Sequence, residues 1–236
     1  MKLQRLYSLT RQAIDYYHLI EDGDHIAVGI SGGKDSLTLL YALQGLKQFY
    51  PKHFELSAIT VDLGFGDFDL SPVKELCERF SVPYTIVSTE IGKILFETRK
   101  ESNPCALCAK LRKGALNDAA IKLGCNKIAY AHHREDLIET MLLSLIYEGR
   151  FYAFSPSTYL DRTGLTVIRP MIYVKEADVI GFKNKYDLPV CKNPCPVDGH
   201  TKREYVKKLT KTLEQENPGV KDRLFLSLIH ISEPTR

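Results

Sequence analysis

"HIAVGISGGKDSLTLL", residues 25–40, decides how the chain is read. Its first six residues form a short apolar, β-branched run, the pattern of a strand buried on both faces of a parallel sheet. SGGKDS at 31–36 follows at once, and over 36–49 the leucines Leu37, Leu40, Leu43 and Leu46 share one side of a helix. A glycine-rich turn therefore joins a strand to a helix. Gly32 and Gly33 let the backbone approach an anion closely, because glycine has no Cβ and a free choice of φ. The helix aims unpaired N–H groups and a partial positive charge at the same place. Lys34 adds a full charge, and Ser31 and Ser36 add hydroxyl donors. The spacing departs from the G-x-x-x-x-G-K-[ST] loop. Asp35 is the odd member, since a carboxylate beside a phosphate is repulsive unless it holds a metal ion or caps the loop.

Outward from this loop, the pattern alternates. A helix is expected over 3–18, with Leu3, Leu6, Leu9, Ala13, Ile14 and Tyr17 at helical spacing. "ELSAITVDL" at 55–63 reads as a second strand, "YTIVST" at 84–89 as a third and "KIAYAHH" at 127–133 as a fourth. Between them, "SPVKELCERF" at 71–80 starts a helix with Ser71 as N-cap and Pro72 at the first helical position. The stretch 90–104 is less regular. Further helices are expected over 106–123, 135–148, 175–187 and 201–216, and an extended segment with an "RTG" turn over 157–174. The expected fold is α/β: a parallel five-stranded sheet with helices on both faces, Rossmann-like, with an N-terminal helix and a C-terminal helical extension. One domain spans 1–226, with its core over 24–190 and a basic extension over 191–226. In such sheets ligands sit beyond the C-terminal strand ends, at the switch point. The phosphate-type loop, Asp62 after the second strand and His132, His133 and Asp136 after the fourth all fall on that rim.

The chain has 236 residues, 44% hydrophobic and 26% charged, enough for one sizeable core. No apolar run reaches the roughly 18–20 residues that span a bilayer, and "MKLQRLYSLTRQAIDYY" lacks the apolar stretch and cleavage site of a signal peptide. A cytoplasmic location is expected, where thiols stay reduced. Of the six cysteines, Cys77 and Cys125 read as buried small hydrophobes. "NPCALCAKLRKGALN" carries Cys105 and Cys108 at the spacing that lets two thiolates meet one metal. Lys110, Arg112 and Lys113 follow, to depress thiolate pKa values or to hold phosphates. Downstream, "VCKNPCPVDGHTKREYV" supplies Cys191 and Cys195. Three readings stand side by side: a Cys₄ zinc site, a three-thiolate [4Fe–4S] cluster with one open iron, and a redox dithiol or persulfide carrier.

Net charge is only +3, but Lys183, Lys185, Lys192, Lys202, Arg203, Lys207, Lys208 and Lys211 crowd into 183–211. That stretch is either a solvated helix face or a contact surface for a polyanion. Arg150, Phe151 and Tyr152 suit stacking, although core packing is the expected role of the two aromatics.

SGGKDS resembles the signature of the PP-loop ATP pyrophosphatases, which cleave ATP between the α and β phosphates and adenylate a carbonyl-type oxygen. The whole pattern, "SGGKDSLTLL", "PCALCAKLRKGAL", "AHHREDLIETMLLSL", "VIRPMIYV" and "NPCPVDGHTKREYV", is similar to the TtcA family of tRNA 2-thiocytidine synthetases over about residues 5–226. The resemblance implies an ATP-dependent tRNA sulfurtransferase of the cytosol. ATP activates C2 of a cytidine, at position 32 of the anticodon loop, and sulfur carried on a [4Fe–4S] cluster replaces its oxygen. It implies Cys105, Cys108 and Cys195 as cluster ligands, with Cys191 extra. Ser31, Gly32, Gly33, Lys34, Asp35, Ser36, Asp62, His133 and Asp136 would hold ATP; Lys34, Asp35 and Asp136 would serve catalysis, the two aspartates helping Mg²⁺. Arg112, Lys113, Lys202, Arg203 and Lys207 would contact tRNA. The resemblance also implies a cysteine desulfurase or inorganic sulfide as the sulfur donor, and a homodimer.

Two departures stand out. Ala131 and Glu135 occupy places where the family shows a glycine and the first of two aspartates; Asp136 keeps the second. Related thiouridine synthetases add flanking zinc-finger cysteines and lysidine synthetases add C-terminal domains, both missing from this pattern. A nucleotide-binding protein with a structural zinc is the reading from another class. Residues 227–236, "SLIHISEPTR", stop looking like the preceding helix; they resemble translated sequencing-adapter read-through and carry no assigned function.

Overall fold

The computed structural model describes residues 1–66, 68–95, 104–192, 195 and 202–232. Among these, six strands form one sheet: β1 (Asp24–Gly29), β2 (Phe54–Asp62), β3 (Tyr84–Ser88), β4 (Lys127–Ala129), β5 (Ser157–Leu160) and β6 (Leu165–Ile168). Their order across the sheet is β3-β2-β1-β4-β6-β5. All pairs are parallel except β5 with β6. The expected count of five was one short because the "RTG" turn closes an antiparallel hairpin, which adds β5 as an edge strand.

The helices are α1 (Leu3–Tyr16), α2 (Lys34–Lys47), α3 (Ser71–Arg79), α4 (Ile91–Lys93), α5 (Pro104–Lys122), α6 (Arg134–Glu148), α7 (Glu176–Tyr186), α8 (Lys202–Glu216) and α9 (Val220–Ser232). β1 divides the core. Ile26 and Val28 point into the larger cluster, with Leu6, Ile14, Leu37, Leu40, Leu137 and Phe182, whereas Ala27 faces a smaller one with Ile59, Leu116, Ala120 and Ile128. Helix α5 alone supplies the helical side of the smaller cluster, so helices lie on both faces but unequally.

Local signals were off by small steps. Helix α2 begins at Lys34, two residues before Ser36, so the lysine stands in the first helical turn. Ser71 is the first helical residue of α3, not its N-cap; Leu70 takes that place, and the Asp69 carboxylate accepts the Ser71 N–H at 3.0 Å. The irregular 90–104 stretch opens with the single turn of α4, and residues 96–103 lie outside the described residues. The doubtful 227–236 segment differs from expectation over its first part. Helix α9 continues to Ser232, and Leu228 is buried in the main core beside Phe225. Among the described residues no helix is long and apolar enough to cross a membrane.

The chain builds β1, β2 and β3 in one direction, then returns to place β4 on the other side of β1. That reversal makes the C-terminal ends of β1 and β4 the switch point, where an open α/β sheet leaves a crevice. The loop 31–33 leaves β1 there, and His132 and His133 leave β4 there.

Candidate active site

The phosphate-type loop is held open by its own side chains. Ser36 Oγ donates to the Gly33 carbonyl at 3.0 Å and accepts the Ser31 N–H at 3.2 Å. Gly32 has φ +76°, in the region that side-chain-bearing residues avoid. A Cβ at Gly32 would meet the Cβ of Cys191 at 3.1 Å and the ring of Phe68 at 3.3 Å. The Cys191 N–H donates to the Gly32 carbonyl at 2.9 Å, so the chain near residue 191 lies directly on the loop. Glycine is thus required at 32 by conformation and by space.

Lys34 is anchored by two carboxylates, Asp35 at 3.0 Å and Glu176 Oε1 at 3.3 Å. Glu176 opens α7 and was not legible as a site residue. The same oxygen also takes Lys207 Nζ of α8 at 2.6 Å. Burial raises the Glu176 pKa, but Lys207 and Lys34 outweigh it and hold the carboxyl below its usual range.

The β4–α6 turn brings the remaining groups. Asp136 Oδ2 accepts the His133 N–H at 2.9 Å, closing the first turn of α6 as its third residue. Its other oxygen lies 3.3 Å from Arg203 Nη1, which also reaches Glu139 Oε2 at 3.3 Å. Glu135 turns away from this pair: its Oε2 accepts the first N–H of α7, that of Glu176, at 2.7 Å. The longer side chain at 135 therefore serves to fix α7 while Asp136 faces the site. His133 is buried among acids, with Nε2 3.7 Å from Asp35 and Nδ1 3.3 Å from Glu135. Burial pulls the His133 pKa down, yet Glu135, Asp136 and Asp35 together raise it above the usual imidazole value.

His132 behaves differently from its neighbour. It accepts Arg169 Nε at Nδ1, 3.3 Å away, and its ring packs 4.7 Å from that of Phe154. Burial drives its pKa down to about 4, so the ring is neutral near pH 7. Asp62 ends β2 and accepts the Gly64 N–H at 3.0 Å, capping the turn that follows. Its carbonyl also accepts the Thr89 hydroxyl at 2.7 Å and the Thr89 N–H at 3.0 Å, and among the described residues no contact joins Asp62 to Lys34 or Asp136.

Helix α5 follows β3 and precedes β4, so as a crossover it starts at the C-terminal rim and runs back toward the other end of the sheet. Cys105 and Cys108 stand in its first turn. Burial pushes the Cys108 thiol up; Arg112 pulls it back, and Cys195 and Cys105 push it further. The three thiols are thus electrostatic neighbours, although among the described residues no three His, Cys, Asp or Glu side chains are drawn to metal-ligating distance. Cys191 is not one of the three. Its Sγ lies 3.8 Å from the Pro189 carbonyl and its backbone is fastened to Gly32. Three soft thiol donors of this kind suit an iron–sulfur cluster, which thiolates hold.

The basic candidates divide. Arg112 and Lys113 are exposed on α5, and Lys202 Nζ sits 4.5 Å over the Tyr147 ring. Arg203 and Lys207 are instead turned onto Asp136, Glu139 and Glu176. Phe151 and Tyr152 are 53% and 50% exposed, not packed in the core as expected, and Arg150 lies over the Tyr152 ring at 5.3 Å. Cys77 and Cys125 are buried, as their surroundings in the sequence suggested, and burial pushes each thiol up to about 11.

Comparison with known proteins places the family and the fold. Residues 5–213 match the model of the PP-loop domain. The tRNA-cytidine(32) 2-sulfurtransferase of Geotalea uraniireducens is 40% identical over 230 residues, covering 96% of this chain and 91% of that protein. The protein of the same name from Geobacter sulfurreducens is 38% identical over 231 residues, covering 97% and 90%. The fold is similar to that of the U34-tRNA thiolase NcsA from Methanococcus maripaludis, solved with its [4Fe–4S] cluster, with TM-score 0.79 at 23% identity, covering 99% of this chain and 79% of that one. With its strand–loop–helix intact at 24–47 and its similarity running nearly end to end, the chain belongs to the PP-loop proteins and, among them, to the family of the tRNA-cytidine(32) 2-sulfurtransferases.

Proposed function

We propose that this protein is an ATP-dependent tRNA thiolase that converts a cytidine, at position 32 of the anticodon loop, to 2-thiocytidine. The observation that carries the reading is the segment from Cys191 to Cys195. One end is bonded to the phosphate loop at Gly32, and the other carries a thiol whose charge acts on Cys108. Four residues reach at most about 14 Å, so a nucleotide on the loop and a sulfur carrier on the thiols are within reach of one base.

The chemistry follows from this proximity. The C2 oxygen of cytidine is a poor leaving group. Its attack on the α phosphate of ATP forms an O–P bond, breaks the α–β bond and releases pyrophosphate. Hydrosulfide-type sulfur then forms a C–S bond at C2, and AMP leaves with the oxygen. Lys34 and the loop N–H groups stabilise negative charge as pyrophosphate departs. Asp35 and Asp136 are the carboxylates that would hold Mg²⁺, which neutralises phosphate charge when bound. Cys105, Cys108 and Cys195 would hold a [4Fe–4S] cluster, which supplies a soft, open iron site for carrying sulfur. His133 positions Asp35 against the turn that carries Asp136. The base must leave its stack to reach this rim. Arg112, Lys113 and Lys202, with the exposed Phe151 and Tyr152, suit phosphate contacts and stacking on the anticodon loop. Inorganic sulfide or a cysteine desulfurase is the sulfur source, and the assembly is a homodimer.

Anaerobic purification with metal analysis tests the reading. A brown protein with about four irons per chain, losing its iron in Cys195→Ala, is expected. A colourless protein that holds zinc, or a Cys195→Ala variant with full iron, contradicts it.

A further inference from the structure

Helix α8 carries two cations one turn apart, Arg203 and Lys207; each side chain stays 44% exposed, yet each reaches carboxylates of the nucleotide rim. Lys207 and Lys34 share a single oxygen, Glu176 Oε1, at 2.6 and 3.3 Å. Two ammonium groups on one carboxylate oxygen repel each other; Asp35 offsets part of the charge on Lys34, and Glu139 and Glu204 part of that on Lys207. Arg203 reaches the same group of residues from the other side. It binds Asp136, which accepts the His133 N–H, and His133 in turn lies 3.7 Å from Asp35, the partner of Lys34. Lys34, Lys207 and Arg203 thus stand on one connected ring of carboxylates at the switch point.

We infer that Lys207 and Arg203 bind the β and γ phosphates of ATP together with Lys34, rather than the tRNA backbone. The inference rests on the ATP reading given above and goes beyond it by assigning the C-terminal extension to the nucleotide. The carboxylates hold three flexible cations in place before ATP arrives, which limits the ordering cost of binding a polyanion. Arg203 offers a planar fork suited to two phosphate oxygens, and Lys207 a point charge beside Lys34. Glu176 acts as a positioning residue, since it touches the cations and not the phosphates. The extension would thereby close the site over pyrophosphate from the side opposite the glycine loop.

The test is equilibrium binding of radiolabelled ATP with Mg²⁺, and separately of labelled tRNA, to wild type, Lys207→Gln, Arg203→Gln and Lys207→Arg, each checked by circular dichroism. Each glutamine variant is expected to weaken ATP binding roughly tenfold or more, as loss of a charge-assisted bond does. Its tRNA affinity should stay within about twofold, as for a residue outside that interface, and Lys207→Arg should restore most ATP binding. Unchanged ATP binding in the folded glutamine variants overturns the inference, as does an equal loss of tRNA binding. If Lys207→Gln does not fold, Lys207→Arg decides: ATP affinity close to wild type supports the inference, and a tenfold loss in the folded arginine variant overturns it. Failure of the wild type itself to bind ATP removes the ATP reading and the inference with it, an outcome distinct from the others.

Discussion

The two ends of the sheet carry charged networks of opposite character. At the N-terminal end of the strands, Lys127 meets Asp24 at 2.7 Å, and the side chains are only 11% and 4% exposed. Lys127 also donates to the Leu19 carbonyl, and both Asp24 carboxylate oxygens accept, one from Asn126 and one from the Glu21 N–H. Asn126 in turn accepts the His25 N–H. One cation faces one anion, and the network is closed. At the C-terminal rim, Lys34 has two carboxylates, Glu176 has two lysines, and His133 stands among three carboxylates, Asp35, Glu135 and Asp136. The first arrangement is complete without a ligand. The second is oversubscribed, and a polyanion with a cation would complete it.

Substitutions separate the two ends. Lys127→Met leaves Asp24 buried and unpaired, and should lower stability by about 3–5 kcal/mol; denaturant unfolding measures this, while ATP affinity of the folded fraction stays unchanged. Lys34→Met should do the reverse. Thiolation should fall about 10²–10³-fold, the usual effect of removing one preorganised donor, with stability changed by less than about 1 kcal/mol because the pair is partly exposed. Equal effects of both variants on stability would erase the contrast between the two ends.

The middle of the range belongs to Glu176→Gln, expected to cost about 1–2 kcal/mol at pH 7. The pH dependence has a definite sign. The folded pKa of Glu176 lies below its ordinary value of 4.5, so its stabilisation is fully present above pH 4.5. It is lost as the pH falls through the lowered folded value. The difference between wild type and variant, followed by thermal unfolding, should shrink on acidification below pH 4.5; growth of that difference would contradict the assignment. The smallest effect is expected of Cys191→Ala. It should leave iron content unchanged and cost about 1 kcal/mol of packing, because Cys191 touches the phosphate loop and not Cys108.

What the sequence made legible was local. Gly32, Lys34 and Ser36 announce themselves because loop, strand and helix are contiguous, and the rim follows from the alternation of strands and helices. The C-x-x-C pair is equally local. Long-range partners left no such signal. Glu176 sits in an ordinary helix start, yet its role depends on Lys34 and Lys207, far away in the chain. Arg203 and Lys207 looked like part of a basic surface stripe, since composition cannot tell which lysines of an amphipathic helix face carboxylates. Cys191 and Cys195 stand four residues apart; the family resemblance chose Cys195, and the bond of Cys191 to Gly32 was not legible. Phe151 and Tyr152 looked like core residues by type, but the turn after α6 leaves them exposed. The sixth strand was hidden because "STYL" and "LTVI" are too short to show alternation.

The central claim joins ATP cleavage at the glycine loop to sulfur delivery at Cys105, Cys108 and Cys195. Its most direct test is nucleoside mass spectrometry of tRNA incubated anaerobically with iron-loaded protein, ATP, Mg²⁺ and sulfide. The account predicts 2-thiocytidine at position 32, formed only when ATP is present and abolished in Cys195→Ala. Absence of 2-thiocytidine with the iron-loaded wild type, or its undiminished formation by Cys195→Ala, would contradict it.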